Sequence, residues 1–99
     1  MPLSGAYAFE SPLDLFDMVR LLQKNDPGWN WRANDGEQKF YLTGRPAKSV
    51  RLKIVEDGKN RFVFAVGLWP EALPYHAKVR DELLPLLRAT NVRPAESPD

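Results

Sequence analysis

A chain of 99 residues with 14 basic and 13 acidic side chains, a formal net charge of +1 and no cysteine suits one α+β domain with a single core. The missing cysteines exclude a disulfide framework, a thiolate zinc or iron–sulfur site and a cysteine nucleophile, and the near-neutral balance gives no global pull toward nucleic acid or anionic lipid. No apolar run approaches the roughly 18 residues of a membrane span, and Met1-Pro2-Leu3-Ser4-Gly5 lacks the basic and apolar regions of a secretory signal, so a cytoplasmic protein with no membrane partner is expected.

Tyr7 and Phe9 alternate with Ala6 and Ala8, which suits an N-terminal edge strand or an extended lead-in. Ser11-Pro12-Leu13-Asp14 then reads as a helix start, with Ser11 as the cap. Leu15, Phe16, Met18, Val19 and Leu22 recur at helical spacing until Asn25-Asp26-Pro27-Gly28 ends the helix.

Two Asp-Gly turns follow, and the side chains that must share a face argue for their registers. A two-residue loop at Asp35-Gly36 pairs Trp31 with Phe40 and Trp29 with Leu42. At Asp57-Gly58 a three-residue loop, Glu56 to Gly58 with glycine left-handed, pairs Leu52 with Phe62 and Val50 with Phe64. Gly44-Arg45-Pro46-Ala47-Lys48 reads as the loop joining the hairpins, because proline cannot donate to a central ladder.

A second helix is expected from Pro74, its stripe formed by Tyr75, Val79, Leu83, Leu86 and Leu87, with Pro85 giving a kink or dividing it into two short helices. Residues 1–90 then make the domain, and 91–99, with Pro94 and Pro98, a disordered tail. The expected architecture is a two-layer α+β sandwich. Its antiparallel sheet has four strands from two hairpins, residues 6–9 being a candidate fifth edge strand, and both helices pack on one face.

That order of helix, strands and helix resembles double-stranded-RNA-binding domains and frataxin-like sheets in topology alone. The lysine-rich start of the second helix in the former is not matched by Pro74-Tyr75-His76-Ala77-Lys78, and no residue is carried over from either family.

No catalytic constellation stands out. His76 is the single histidine and reads as solvated or near a helix cap, no second imidazole completes a zinc set, and the serines lack a nucleophile-elbow context. The glycines are scattered at turns and form no phosphate-cradling loop. Asp14 and Asp17 read as compensation of the helix dipole. Neither a metal nor a cofactor is expected.

The more informative feature is a basic run, Arg45, Lys48, Arg51, Lys53, Lys59 and Arg61. Alternation sends Arg51, Lys53 and Arg61 to the sheet face away from the core, joined there by Asn30, Arg32, Lys39 and Tyr41 of the first hairpin. The expected register even sets Lys53 opposite Arg61, a like-charge pair that costs stability. Trp69, between Gly67 and Pro70, either recognises a partner or closes the core.

Arg45, Lys48, Arg51, Lys53, Arg61, Tyr41 and Trp69 are therefore the candidate binding residues. The expected function is a small non-catalytic interaction module, such as an adaptor, inhibitor or immunity-type protein, with another protein as partner. Nucleic-acid binding through the basic face is the alternative, weakened because both hairpin tryptophans point inward. A homodimer through a free sheet edge is a further option.

Overall fold

Leu15, Met18, Val19 and Leu22, spaced to share one side of a helix, are all buried on α1 (Leu15–Asn25) in the computed structural model, which describes residues 4–37 and 39–96. The cap of α1 is Asp14, whose carboxylate accepts the Asp17 N–H at 2.8 Å. Ser11, expected in that role, is buried instead. Its hydroxyl accepts the Leu13 N–H at 3.1 Å and donates to the Leu87 carbonyl at 2.7 Å, tying the approach to α1 to the end of the C-terminal helix.

The sheet has six antiparallel strands, where four or five were expected: β1 (Ala6–Glu10), β2 (Arg32–Asp35), β3 (Phe40–Ala47), β4 (Val50–Glu56), β5 (Arg61–Ala65) and β6 (Thr90–Ala95). Their spatial order is β2-β3-β4-β5-β1-β6, so β1 lies inside the sheet and the edges are β2 and β6. β6 comes from the segment expected to be a disordered tail; it gains order by pairing with β1, Ala8 opposite Arg93 and Ala6 opposite Ala95. Residues 97–99 of that expected tail lie outside the described residues. The interhairpin loop is also corrected, since residues 44–47 belong to β3 and only Lys48 and Ser49 turn the chain into β4.

Both Asp-Gly registers differ from expectation by four in pairing, an even slide that leaves the paired strand residues on their expected faces. In the first hairpin Asp35 opposes Phe40 and Ala33 opposes Leu42, and Gly36 N–H bonds the Lys39 carbonyl at 3.0 Å. The slide brings Trp31 over Gly44, where an added Cβ would stand 2.6 Å from the indole. Only a residue without a side chain leaves room for that ring. Trp29 leaves the strand altogether and sits in a 3₁₀ turn (Pro27–Trp29), its ring edge-on to Tyr75.

In the second hairpin Ile54 opposes Phe64 and Glu56 opposes Phe62. Asp57 N–H bonds the Arg61 carbonyl at 2.8 Å, so the three-residue loop is 58–60, with Gly58 at positive φ (122°) as expected of the glycine and Asn60 also left-handed (φ 59°). Lys53 thereby faces Ala65 instead of Arg61, and the expected like-charge pair does not form.

The C-terminal helix runs through α2 (Tyr75–Lys78), a π turn (Val79–Leu83) and α3 (Leu84–Leu86). Leu84 N–H reaches back five residues to the Val79 carbonyl. Pro85 has no N–H to give the preceding turn, and the backbone absorbs the defect by widening there rather than breaking. Val79, Leu83, Leu84 and Leu87 join Leu15, Met18, Val19 and Leu22 of α1 and Phe9, Leu42, Leu52, Ile54, Phe62 and Phe64 of the sheet in one buried cluster. Phe40 lies on the same sheet face but at its corner, 44% exposed and edge-on to Phe16. With a radius of gyration of 12.3 Å the molecule is as compact as a folded chain of about 100 residues should be, at roughly 13 Å.

Because Trp31 occupies the space above Gly44, Gly44→Ala is expected to lower stability by about 1–3 kcal/mol, the usual cost of overpacking a core. Urea unfolding measures it, and a midpoint equal to that of the unsubstituted protein would mean that the ring is free to move aside.

Candidate functional site

β2 pairs with β3 only as far as Arg32 opposite Thr43. Beyond that point Asn30, left-handed at φ 53°, turns the chain out of the sheet, and Trp31 drops to the core side of Gly44. The missing length of strand leaves a notch of about 370 Å³ on the outer face, floored by Gly44 and walled by Asn30, Arg32 and Asn34 on one side and Arg45 and Arg51 on the other.

A bulge shapes the second wall. Between the pairs Gly44–Leu52 and Ala47–Val50, two residues of β3, Arg45 and Pro46, stand against the single residue Arg51 of β4. The like-charge opposition expected of Lys53 and Arg61 is therefore met by Arg45 and Arg51. Proline fits the bulge because the ladder asks no donor of the extra residue.

Tyr41 and Thr43 complete the notch, with the Thr43 hydroxyl accepting from Asn34 Nδ2 at 2.8 Å. Lys53, opposite Thr43, lays its ammonium 4.7 Å from the centre of the Tyr41 ring and lines a neighbouring hollow of about 430 Å³ together with Tyr41. None of the ion pairs among the described residues involves Arg32, Arg45, Arg51 or Lys53. Lys78 and Arg20 are the cations that do form ion pairs among the described residues, and Lys78 has two acidic partners. That ammonium meets Asp26 at 3.1 Å and Glu82 at 2.5 Å, and its hydrogen bond to Glu82 is the main cause that raises the lysine pKa and lowers the glutamate's.

No family model matches this chain, and neither does any curated protein or solved structure. Its site is read from its own geometry.

Of the candidate residues, the fold gathers Tyr41, Arg45 and Arg51 at the notch and sets Lys53 beside it. Lys48 stands exposed in the β3–β4 turn, and Arg61 lies across from Glu10 on β1, outside both hollows. Trp69 lines a separate shallow hollow with Gly5, Leu68 and Ala95. Its indole N–H donates to the Ser49 carbonyl at 3.3 Å and its ring covers Gly67, where a Cβ would meet it at 1.9 Å and where φ is +103°. Trp69 is still 43% exposed.

Arg32 was placed on the outer face by alternation but not at the site. The expected register sets it opposite Lys39, whereas the observed one sets it opposite Thr43, beside the bulge. Asn34 and Thr43 carry no signal of their own in the sequence.

His76 is a correction as well, being 3% exposed rather than solvated. Nε2 lies 2.7 Å from the Gly67 carbonyl, which can only accept, so Nε2 carries hydrogen; Nδ1 then accepts from the Tyr7 hydroxyl at 2.6 Å. This chain of two bonds ties β1 and the exit of β5 to the C-terminal helix, and it offers no open coordination position or attacking group. Among the described residues no three histidine, aspartate or glutamate side chains gather as a metal site.

Burial raises the Tyr7 pKa above that of a free phenol, with nearby Arg80 acting weakly in the opposite sense. The unfolded chain therefore loses the Tyr7 proton first, and the stability due to the neutral phenol is complete below about pH 10 and falls as pH rises through the folded value. Tyr7→Phe should cost about 1–3 kcal/mol at neutral pH by leaving Nδ1 without its donor, and should flatten the alkaline limb of a stability–pH curve. An unchanged alkaline limb would show that another group controls it.

Relief of the Arg45–Arg51 opposition gives a second test. Arg51→Gln should stabilise the free protein by about 0.2–1 kcal/mol at low ionic strength, and added salt should narrow the gain. Denaturation of the variant at two salt concentrations measures both, and a loss of stability would mean that Arg51 has a structural partner.

Proposed function

We propose that this chain is a small non-catalytic interaction module, of the adaptor, inhibitor or immunity type, whose outer sheet face docks an acidic segment of a partner protein. The observation that carries this reading is the bulge that sets Arg45 against Arg51 beside Arg32 and Lys53, none of them ion-paired among the described residues. Such an arrangement costs stability in the free protein, and an anionic partner offsets the cost when bound.

In the two-layer arrangement, with both helices over the core face, the outer face stays free for that partner. The loop carrying exposed Leu68 and Trp69 is a second contact area of the same reading. Nucleic acid is the weaker alternative because stacking needs open aromatic faces. Trp31 is buried, Trp29 packs against Tyr75 with Lys78 over its ring, and Tyr41 has Lys53 over its own.

Titration with a deca-glutamate peptide at low ionic strength tests the proposal. Amide signals of β3 and β4 should shift, and Arg51→Gln combined with Lys53→Gln should weaken binding about tenfold, as two partly exposed charge pairs at ~0.7 kcal/mol each imply. Lys24→Gln, on exposed α1 surface, is the control. Equal affinity for all three proteins would remove the outer face as the docking surface.

A further inference from the structure

We infer that the notch over Gly44 binds a phosphomonoester dianion, held by the guanidinium groups of Arg32, Arg45 and Arg51. This rests on the acidic-partner reading and narrows its chemistry.

The count of charge decides between carboxylate and phosphate. The notch is lined by three guanidinium groups, each permanently charged and each with five N–H donors, and by no acidic side chain. One carboxylate brings a single charge and two oxygens, which satisfy one arginine and leave the other two opposed. A phosphomonoester brings about −1.5 to −2 and three acceptor oxygens on one atom, so a single group can meet arginines from two walls at once.

The remaining lining fits the same ligand. The Thr43 hydroxyl accepts from Asn34, which leaves its own hydrogen free to donate, and Tyr41 is a further lining residue with a hydroxyl. The hollow, at about 370 Å³, has room for a phosphate and the carbon attached to it.

The bulge is the device that brings the arginines together. A regular ladder would set one residue of β3 against Arg51, whereas two residues, Arg45 and Pro46, share that place and re-aim the strand. Arginine rather than lysine stands at all three positions, in keeping with fork-shaped recognition of a tetrahedral oxyanion. Lys53, beside the notch, is engaged over Tyr41.

Such a group comes from a phosphorylated side chain of the partner or from a free phosphate ester, and competition separates the two. The test uses the full chain and three capped five-residue glycine peptides whose central residue is phosphoserine, serine or glutamate, followed by calorimetry and by the arginine Nε–H signals. The phosphoserine peptide should bind at least tenfold more tightly than the other two and shift the signals of Arg32, Arg45 and Arg51, leaving Arg20 and Arg80 in place.

Arg51→Lys keeps the charge but loses the fork, and should weaken the phosphoserine peptide about five- to tenfold with the rest of the spectrum unchanged. Inorganic phosphate competing as well as the peptide supports the site with a free ester as its ligand; poor competition supports it with a protein-borne one. Equal binding of glutamate and phosphoserine peptides overturns the inference and leaves the acidic-face reading standing, whereas silence toward these and deca-glutamate removes both. A larger response to a single-stranded oligonucleotide overturns it in favour of phosphodiesters.

Discussion

The contact between Trp31 and Gly44 is the constraint on which the outer face of this protein depends. A buried indole needs a flat space against the sheet, and a residue without a side chain at position 44 supplies it. Once the ring is seated, the β2–β3 register follows, β2 cannot extend past Arg32, and the chain leaves the sheet through the left-handed Asn30. Gln23 of α1 adds a hydrogen bond to the Trp31 carbonyl at 2.9 Å, so the helix holds the same point from the other side. The notch is thus the outer-face imprint of a packing event on the core face.

The two faces of the sheet follow different rules. On the core side, alternation and volume decide, and side chains from both helices close over Phe9, Leu42, Leu52, Ile54, Phe62 and Phe64. On the outer side, Arg32, Arg45 and Arg51 line one notch without an acidic side chain, and Arg45 opposed to Arg51 slightly costs stability. Among the described residues, Lys78 between Asp26 and Glu82 and Arg20 beside Asp17 are the cations that do meet a carboxylate. His76, by contrast, spends both ring nitrogens on holding β1, the β5 exit and the C-terminal helix together.

Much of the architecture was legible because errors in pairing by an even number of residues do not change which side chains face the core. Both hairpins slid in this way, yet Trp31, Leu42, Val50, Leu52, Phe62 and Phe64 are all buried as alternation requires. The sixth strand was not legible, since Thr90 to Ala95 has a polar, proline-containing sequence that becomes a strand only because β1 offers it an edge. Ser11 and His76 were misjudged for a related reason. Their partners, the Leu87 carbonyl and the Tyr7 hydroxyl, lie 76 and 69 residues away along the chain.

By itself the amino-acid order determined the helices, the strand-forming segments and the segregation of apolar from basic side chains between the two sheet faces, because these depend on periodicities of a few residues. The tertiary structure decided the register of each hairpin, the interior place of β1, the addition of β6 and the gathering of Arg32, Arg45 and Arg51. Each of those rests on the fit between distant residues, an indole against a bare backbone above all. No local pattern encodes that fit.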